Sequence, residues 1–332
     1  MGQDGVSRPR SRGLTVRKRP LIVLSTVAAA TLLLAGCSGG TAPSSSGTPD
    51  PSASSECVVN APAGATSDAV VVKGEGADTK VTVPADAAFE NVERTVISKG
   101  DGDDLHINDL VSVQYQIVDA TDNKVLDSSA RGEGGVLPVL LDTNQSSLFV
   151  AALECEPAGS RVALAIPGSA LGEGQNNVVV YAQAVDRLPE VATGTPVDPT
   201  AGMPTVKLDD DGKPSVEIPK GDAPTETKVA VLKQGDGATV GSGDLVVVQY
   251  LGVKWSDGKE FDSSWSRDAA PSQFQTTGVV AGFQKALEGQ KVGSQVVVVM
   301  PPSDGYGASE GHELQKESLV FVVDILATTP VQ

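Results

Sequence analysis

The chain has 332 residues, a formal net charge of −17 and few aromatic residues (4%). This length has room for two domains, because single cores rarely grow beyond roughly 250–300 residues. Residues 37–332 carry 19 basic and 41 acidic side chains, a net charge of −22. Such a surface repels phosphate backbones and anionic lipids, so it argues against nucleic-acid binding and leaves any membrane link to an anchor.

Residues 1–36 have the pattern of a secretory signal peptide. Six Lys and Arg residues precede an apolar run from Leu21 to Ala35, which is short for a spanning helix. Cys37 follows Leu-Ala-Gly and resembles the lipobox cysteine of bacterial lipoproteins, which is lipidated. We therefore expect an exported protein anchored through Cys37 to the outer face of the cytoplasmic membrane, with an uncleaved apolar anchor as the alternative.

Residues 37–56 are rich in Ser, Thr, Pro and Gly and are expected to form a flexible tether after the lipidated cysteine. Two cysteines then remain, Cys57 and Cys155. Export favours a disulfide between them, and closing so long a loop contributes about 3–5 kcal/mol in the chain-entropy model. Two buried thiols are the alternative. No Cys-x-x-Cys spacing is present, and the acidic run 209–211 lacks the spaced ligands of an EF-hand, so no metal site or cofactor is predicted.

An internal repeat sets the domain organisation. Residues 109–115 align with 244–250, and 127–129 with 262–264, at a constant offset of 135. A repeat of this length indicates duplicated domains rather than a solenoid. We predict a first domain over 57–190, a linker over 191–204 and a second domain over 205–329. The extensions Val70 to Pro84 and Thr205 to Pro219 are either edge strands or structured linkers.

The second copy has the pattern of an antiparallel sheet with one helix. Alternating apolar residues predict strands over 229–233, 245–254, 294–300 and 319–326. Val280, Phe283 and Leu287 share one face at helical spacing, and Gly289 is placed to end that helix. The predicted fold class is α+β, with each copy a twisted antiparallel sheet wrapped around one short helix.

Six motifs of the second copy resemble the FKBP-type peptidyl-prolyl cis/trans isomerases, and together they cover essentially all of a core from 228 to 327. They are residues 248–252, 257–264, 280–287, 300–302, 305–307 and 319–323. The resemblance implies two tandem FKBP-like domains and an apolar active-site cup in the second. Rotation about an X–Pro bond crosses a barrier of about 18–20 kcal/mol and needs no nucleophile or cofactor.

The resemblance also assigns residues by position. The catalytic residues carried over are Tyr250, Asp262 and Tyr306. The substrate-binding residues carried over are Phe261, Arg267, Val279, Val280, Phe283 and Phe321. An Asp262–Arg267 ion pair is expected, and Phe283 stands where many members have a Trp floor. Two departures are Ser272, where an aromatic wall residue is common, and the flap over residues 303–318, which lacks the usual proline-containing run.

The first copy keeps Tyr115, Asp127 and Phe149 at equivalent positions. Leu126 and Leu171, however, stand where the pocket Phe and the flap Tyr belong. We therefore expect weak or absent isomerase activity there and a binding or scaffolding role.

The sequence thus predicts a peptidyl-prolyl isomerase that assists the folding of exported proteins at the cell envelope. Its expected partners are proline-containing segments of those proteins, and the resemblance also implies macrolide inhibitors as ligands of the cup. The alternative is a non-catalytic envelope chaperone or peptide-binding lipoprotein. A hydrolase is unsupported, since neither His106 nor His312 lies in a nucleophile motif.

Overall fold

The computed structural model describes residues 61–330. The predicted signal peptide (1–36), Cys37, the tether (37–56) and Cys57 lie outside the described residues. Cys155 is disulfide-bonded. Within residues 61–330 no helix is both long enough and apolar enough to cross a membrane.

The first half of the described chain forms eight strands and three short helices. These are α1 (Ala65–Asp68), β1 (Val71–Lys73), β2 (Lys80–Thr82), β3 (Glu93–Ser98), β4 (Leu110–Asp119), β5 (Val125–Ser128), β6 (Leu137–Leu140), α2 (Ser147–Leu153), β7 (Arg161–Ile166), α3 (Gly168–Leu171) and β8 (Val178–Arg187).

The second half forms nine strands and one helix. These are β9 (Thr195–Pro196), β10 (Thr205–Leu208), β11 (Pro214–Glu217), β12 (Lys228–Gln234), β13 (Leu245–Lys254), β14 (Glu260–Ser263), β15 (Ser272–Gln275), α4 (Ala281–Leu287), β16 (Gln295–Met300) and β17 (Leu319–Thr329). The four predicted strands and the predicted helix are present within a few residues of their expected ends.

The repeat in the sequence corresponds to two antiparallel sheets with the same strand order. The N-terminal sheet runs β3-β7-β8-β4-β5, with β6 also paired to β4. The C-terminal sheet runs β12-β16-β17-β13-β14, with β15 paired to β13 and β9 added beside β12. Both central hairpins carry a register shift at the same place, at Ile117/Val118 and at Gly252/Val253. The two halves therefore share topology down to a local irregularity.

Each sheet is buried on both faces, which explains the uninterrupted valine runs. Along β13, Val248 and Tyr250 pack in the cluster that contains Phe283 of α4, whereas Leu251 and Val253 pack on the opposite face. A strand covered on both faces has no polar side to alternate with.

The two N-terminal extensions cover the outer faces of the sheets. Strands β1 and β2 pair as a hairpin, as do β10 and β11. Val81 packs in the outer cluster of the N-terminal sheet, and Val206 and Val216 pack against that of the C-terminal sheet. The extensions are thus separate hairpins, neither edge strands of the main sheets nor linkers.

The predicted linker, residues 191–204, is partly built into the C-terminal sheet. Thr195–Pro196 pairs with β12 as β9. The Ala192 N–H donates to Asp324 Oδ2 over 2.9 Å, and Lys233 Nζ donates to the Ala192 carbonyl over 2.9 Å. Asp324 is 3% exposed, and burial raises its pKa above the ordinary value. A buried carboxylate therefore fastens the connector to the sheet.

Candidate active site

A cup of about 290 Å³ opens on the inner face of the C-terminal sheet beside α4. Its wall is built from helix α4, the turns beside that helix, and strands β13, β14, β15 and β17. The lining residues are Tyr250, Asp262, Phe274, Gly278, Val279, Val280, Phe283, Tyr306 and Phe321. Seven of the nine predicted site residues thus lie together around one cavity.

Phe283 forms the floor of this cup, as the resemblance implied. Its ring centroid lies 5.8 Å from Tyr250, 5.0 Å from Phe321 and 6.0 Å from Phe274, with interplanar angles of 81–82°. Edge-to-face contacts of this kind stabilise aromatic clusters beyond the effect of area burial. The four rings hold one another in place and present an apolar surface to a ligand.

A hydrogen-bonded triad closes one side of the cup. The Tyr250 hydroxyl donates to Asp262 Oδ2 over 2.6 Å. Arg267 pairs with Asp262 Oδ1, as expected, and its Nη2 donates to the Tyr250 hydroxyl over 2.8 Å. Burial, with the Asp262 hydrogen bond second, raises the pKa of Tyr250 to about 12. Tyr250 therefore keeps its proton at neutral pH, and both Asp262 oxygens are engaged by partners.

Two donors at the mouth of the cup are left for a ligand. Among the described residues, none accepts a hydrogen bond from the Tyr306 hydroxyl or from the Val280 N–H, which precedes α4. Burial and the charge of Asp262 raise the pKa of Tyr306, so its hydroxyl remains a donor. A peptide carbonyl entering the cup would satisfy one or both of these groups.

Phe261 and Arg267, both predicted to bind substrate, do not line the cavity. Phe261 packs edge-to-face on Phe321, with the ring centroids 5.4 Å apart. Arg267 acts on the cup through Asp262 and Tyr250. The ring packing also depends on Gly252, because a Cβ there would lie 2.8 Å from atoms of both the Phe261 and the Phe321 rings.

Phe274 and Gly278 are lining residues that the sequence reasoning missed. Ser272, at the position where the family often has an aromatic wall residue, instead accepts a hydrogen bond at its hydroxyl from Arg267 Nη2 over 3.2 Å. Phe274 lies two residues further along β15 and so points to the same face as Ser272. Its position between Gln273 and Gln275 is the alternation signal that would have identified it.

The N-terminal sheet repeats the triad without the cup. The Tyr115 hydroxyl donates to Asp127 Oδ2 over 2.8 Å, and Arg131 pairs with Asp127 and donates to Tyr115 over 3.1 Å. The sequence comparison missed Arg131 because it lies 136 residues before Arg267, one more than the repeat offset.

The strand register shows what replaces the cup. Ile117 pairs with both Asp127 and Val180, as Gly252 pairs with Asp262 and Phe321. Leu126 and Leu171, in place of the wall Phe and the flap Tyr, are 52% and 40% exposed. Tyr115 keeps an edge-to-face contact with Phe149, with the ring centroids 4.8 Å apart, but Val180 stands at the register position of Phe321 and Leu126 at that of Phe261.

A larger cavity of about 630 Å³ lies between the two sheets, with Leu137, Leu188 and Leu326 among its lining residues. It contains none of Tyr250, Asp262 and Tyr306, so size alone does not mark the chemistry. In the described part of the chain, no group of three or more His, Cys, Asp and Glu residues could hold a metal ion.

The family model for FKBP-type peptidyl-prolyl cis-trans isomerase matches residues 237–326. The chain is 40% identical over 116 residues to a probable FK506-binding protein of Corynebacterium glutamicum, covering 35% of this chain and 98% of that protein. It is 37% identical over 120 residues to an FK506-binding protein of Streptomyces anulatus, covering 35% of this chain and 96% of that protein.

Among solved structures, the crystal structure of FkpA from Escherichia coli matches with 30% identity and a TM-score of 0.31. The match covers 40% of this chain and about half, 54%, of that one.

Proposed function

Because the chain belongs to the FKBP-type peptidyl-prolyl cis/trans isomerases and is an enzyme of that family, we propose that its active site is the cup of the C-terminal sheet. The observation that carries this proposal is the open aromatic cup with two unengaged donors, the Tyr306 hydroxyl and the Val280 N–H. The substrate is an X–Pro segment of a protein chain, with the proline ring seated on Phe283.

The mechanism requires no covalent step. During rotation the amide loses its resonance and becomes less polar than the planar ground state. An apolar cup binds the twisted amide better than the planar one, while the two donors hold the flanking carbonyls. Each 1.4 kcal/mol of such differential binding accelerates rotation about tenfold. The Asp262 carboxylate, held by Tyr250 and Arg267, fixes the wall beside the prolyl carbonyl.

We further propose that the enzyme works on exported proteins at the outer face of the cytoplasmic membrane. The support is the signal-like pattern of residues 1–36 and the lipobox-like Cys37. The N-terminal sheet would then be a degenerate FKBP-like domain that binds or holds clients, stiffened by a Cys57–Cys155 disulfide. Macrolide inhibitors are proposed ligands of the same cup, since two relatives are named as FK506-binding proteins.

The test is catalysis of cis/trans exchange in a short X–Pro peptide by the full chain. A Tyr306→Ala, Asp262→Ala double variant removes the flap donor and the carboxylate of the cup. Its matched control is Leu171→Ala with Asp127→Ala, at the equivalent places in the N-terminal sheet. We expect the first variant to lose most of the acceleration and the control to retain it.

Retained activity in the first variant would place the active site elsewhere. No acceleration by the unaltered chain, with retained peptide binding, would overturn catalysis and leave a non-catalytic chaperone.

A further inference from the structure

We propose that His312 is a positioning residue that holds Tyr306 in its peptide-binding orientation. This inference rests on the proposed function, because it concerns a donor of the same cup. It assigns a role to a flap residue that the motif comparison left unexplained.

The two rings lie parallel and in contact. The centroids of Tyr306 and His312 are 4.2 Å apart, and the angle between the ring planes is 4°. The ring pairs among Tyr250, Phe274, Phe283 and Phe321 are edge-to-face or tilted, whereas His312 lies flat on Tyr306. Tyr306 thus packs against the core cluster that contains Phe283 and also carries a parallel stack with His312.

The imidazole is itself tied to the core. His312 Nδ1 accepts a hydrogen bond from the Leu314 N–H over 3.1 Å. Leu314 is 3% exposed and belongs to the core cluster that contains Phe283. Since Nδ1 accepts, the ring carries its hydrogen on Nε2 in this arrangement. A buried leucine thus fixes the histidine, and the histidine fixes the tyrosine.

The backbone provides little other order at this place. Residues 305–318 form turns without a helix or strand. Tyr306 is linked to its neighbours by turn hydrogen bonds, from the Ser309 N–H to the Tyr306 carbonyl at 2.9 Å and from the Gly307 N–H to the Pro302 carbonyl at 2.7 Å. These bonds fix the backbone, and the edge of the side chain is limited by its packing against the core cluster that contains Phe283. The stack adds a contact over the face of the ring, so the hydroxyl faces the cup before a peptide arrives.

Three substitutions separate the two contacts of the imidazole. His312→Ala removes both the ring and the acceptor. His312→Phe keeps a flat ring, whereas His312→Asn keeps an acceptor near Nδ1 without the ring. We expect His312→Ala and His312→Asn to lower kcat/KM for an X–Pro peptide by about three- to tenfold, the range of an aromatic pair. His312→Phe should restore most of the activity.

The effect must pass through Tyr306. In a Tyr306→Ala background, His312→Ala should cause no further loss. A multiplicative loss in the double variant, or no loss in His312→Ala alone, would overturn the inference. Equal urea midpoints for all variants would show that the change is not one of global stability.

A second readout does not depend on catalysis. The chain has four tyrosines, so the full chain labelled with 3-fluorotyrosine gives four assignable ¹⁹F signals. His312→Ala should move the Tyr306 signal far more than those of Tyr115, Tyr181 and Tyr250. If the unaltered chain lacks isomerase activity, the proposed function fails, but this measurement still tests whether His312 holds the Tyr306 ring. An unmoved Tyr306 signal in an active enzyme would overturn the inference alone.

Discussion

The N-terminal and C-terminal sheets share strand order, a register shift and a Tyr–Asp–Arg triad, yet an aromatic cup is built on one of them. Tyr115, Asp127 and Arg131 reproduce the contacts of the C-terminal triad. In both sheets the triad tyrosine has its pKa raised to about 12, with burial as the main cause. The triad therefore joins β4 to β5 and β13 to β14 in the same way, and its presence alone does not build an aromatic cup.

The difference lies in the side chains around that framework. In the C-terminal sheet, Gly252 leaves space for two phenyl rings, Phe261 and Phe321. In the N-terminal sheet Ile117 occupies the register position of Gly252, and Leu126 and Val180 occupy those of the two rings. The small residue and the two rings thus occur together on the sheet that carries the cup and are replaced together on the other.

The largest expected effect comes from Gly252→Ile, which transfers the N-terminal residue into the cup. The new side chain meets Phe261 and Phe321 and forces both rings to move. We expect kcat/KM for an X–Pro peptide to fall about 100-fold, and the free energy of unfolding to fall by about 1–3 kcal/mol through overpacking.

The control for Gly252→Ile adds Phe261→Leu and Phe321→Val, the other two N-terminal residues. Stability in urea should return towards that of the unaltered chain, whereas activity should stay low. Recovery of activity in this triple variant would show that the rings are not needed.

A smaller effect is expected from Asp262→Ala, with Asp127→Ala as its counterpart. Each substitution removes one carboxylate that accepts a hydrogen bond from a tyrosine hydroxyl and forms an ion pair with an arginine. Because both carboxylates are partly exposed, each loss should lower the free energy of unfolding by only about 1 kcal/mol. Asp262→Ala should also lower kcat/KM about tenfold, while Asp127→Ala leaves it unchanged. A loss of activity in Asp127→Ala would assign catalysis to the N-terminal triad as well.

Asp324→Asn is expected to leave the isomerase activity unchanged and to alter only the stability. Asp324 pairs across the sheet with Gln249, where the N-terminal sheet pairs Gln183 with Gln114. Burial raises the pKa of Asp324 above 3.8, so its contribution to stability is full below the unfolded-state pKa and is lost as pH rises through the folded one.

The stability of the unaltered chain, measured relative to Asp324→Asn by urea unfolding at several pH values, should therefore fall as pH rises above about 4. A difference that stays constant with pH would contradict the raised pKa.

Much of this molecule follows from its sequence because the signals are local and repeated. Valine-rich apolar runs predicted the strands, the spacing of Val280, Phe283 and Leu287 predicted α4, and the 135-residue offset predicted two copies of one topology. What the sequence did not show depends on contacts between distant residues. Two examples are the packing of the β1–β2 and β10–β11 hairpins on the outer faces of the sheets and the hydrogen bond from the Ala192 N–H to Asp324.

The site was predicted in part for the same reason. Motif matching placed Tyr250, Asp262 and Tyr306 on the cup, but it also assigned to the lining Phe261, whose ring packs edge-to-face on Phe321 instead. Arg131 lies four residues after Asp127, whereas Arg267 lies five residues after Asp262. An alignment at one fixed offset therefore misses Arg131. Phe274 was missed because the family's aromatic wall position was matched to Ser272, which lies on the same face of β15 two residues earlier.

The measurement that tests the account most directly is titration of the fluorotyrosine-labelled full chain with an X–Pro peptide. The four tyrosines divide evenly, with Tyr115 and Tyr181 in the N-terminal sheet and Tyr250 and Tyr306 on the cup. If peptide binds in the cup alone, the signals of Tyr250 and Tyr306 shift and the other two stay in place. A shift of Tyr115 with Tyr250 and Tyr306 unmoved would contradict the assignment of the site to the C-terminal sheet.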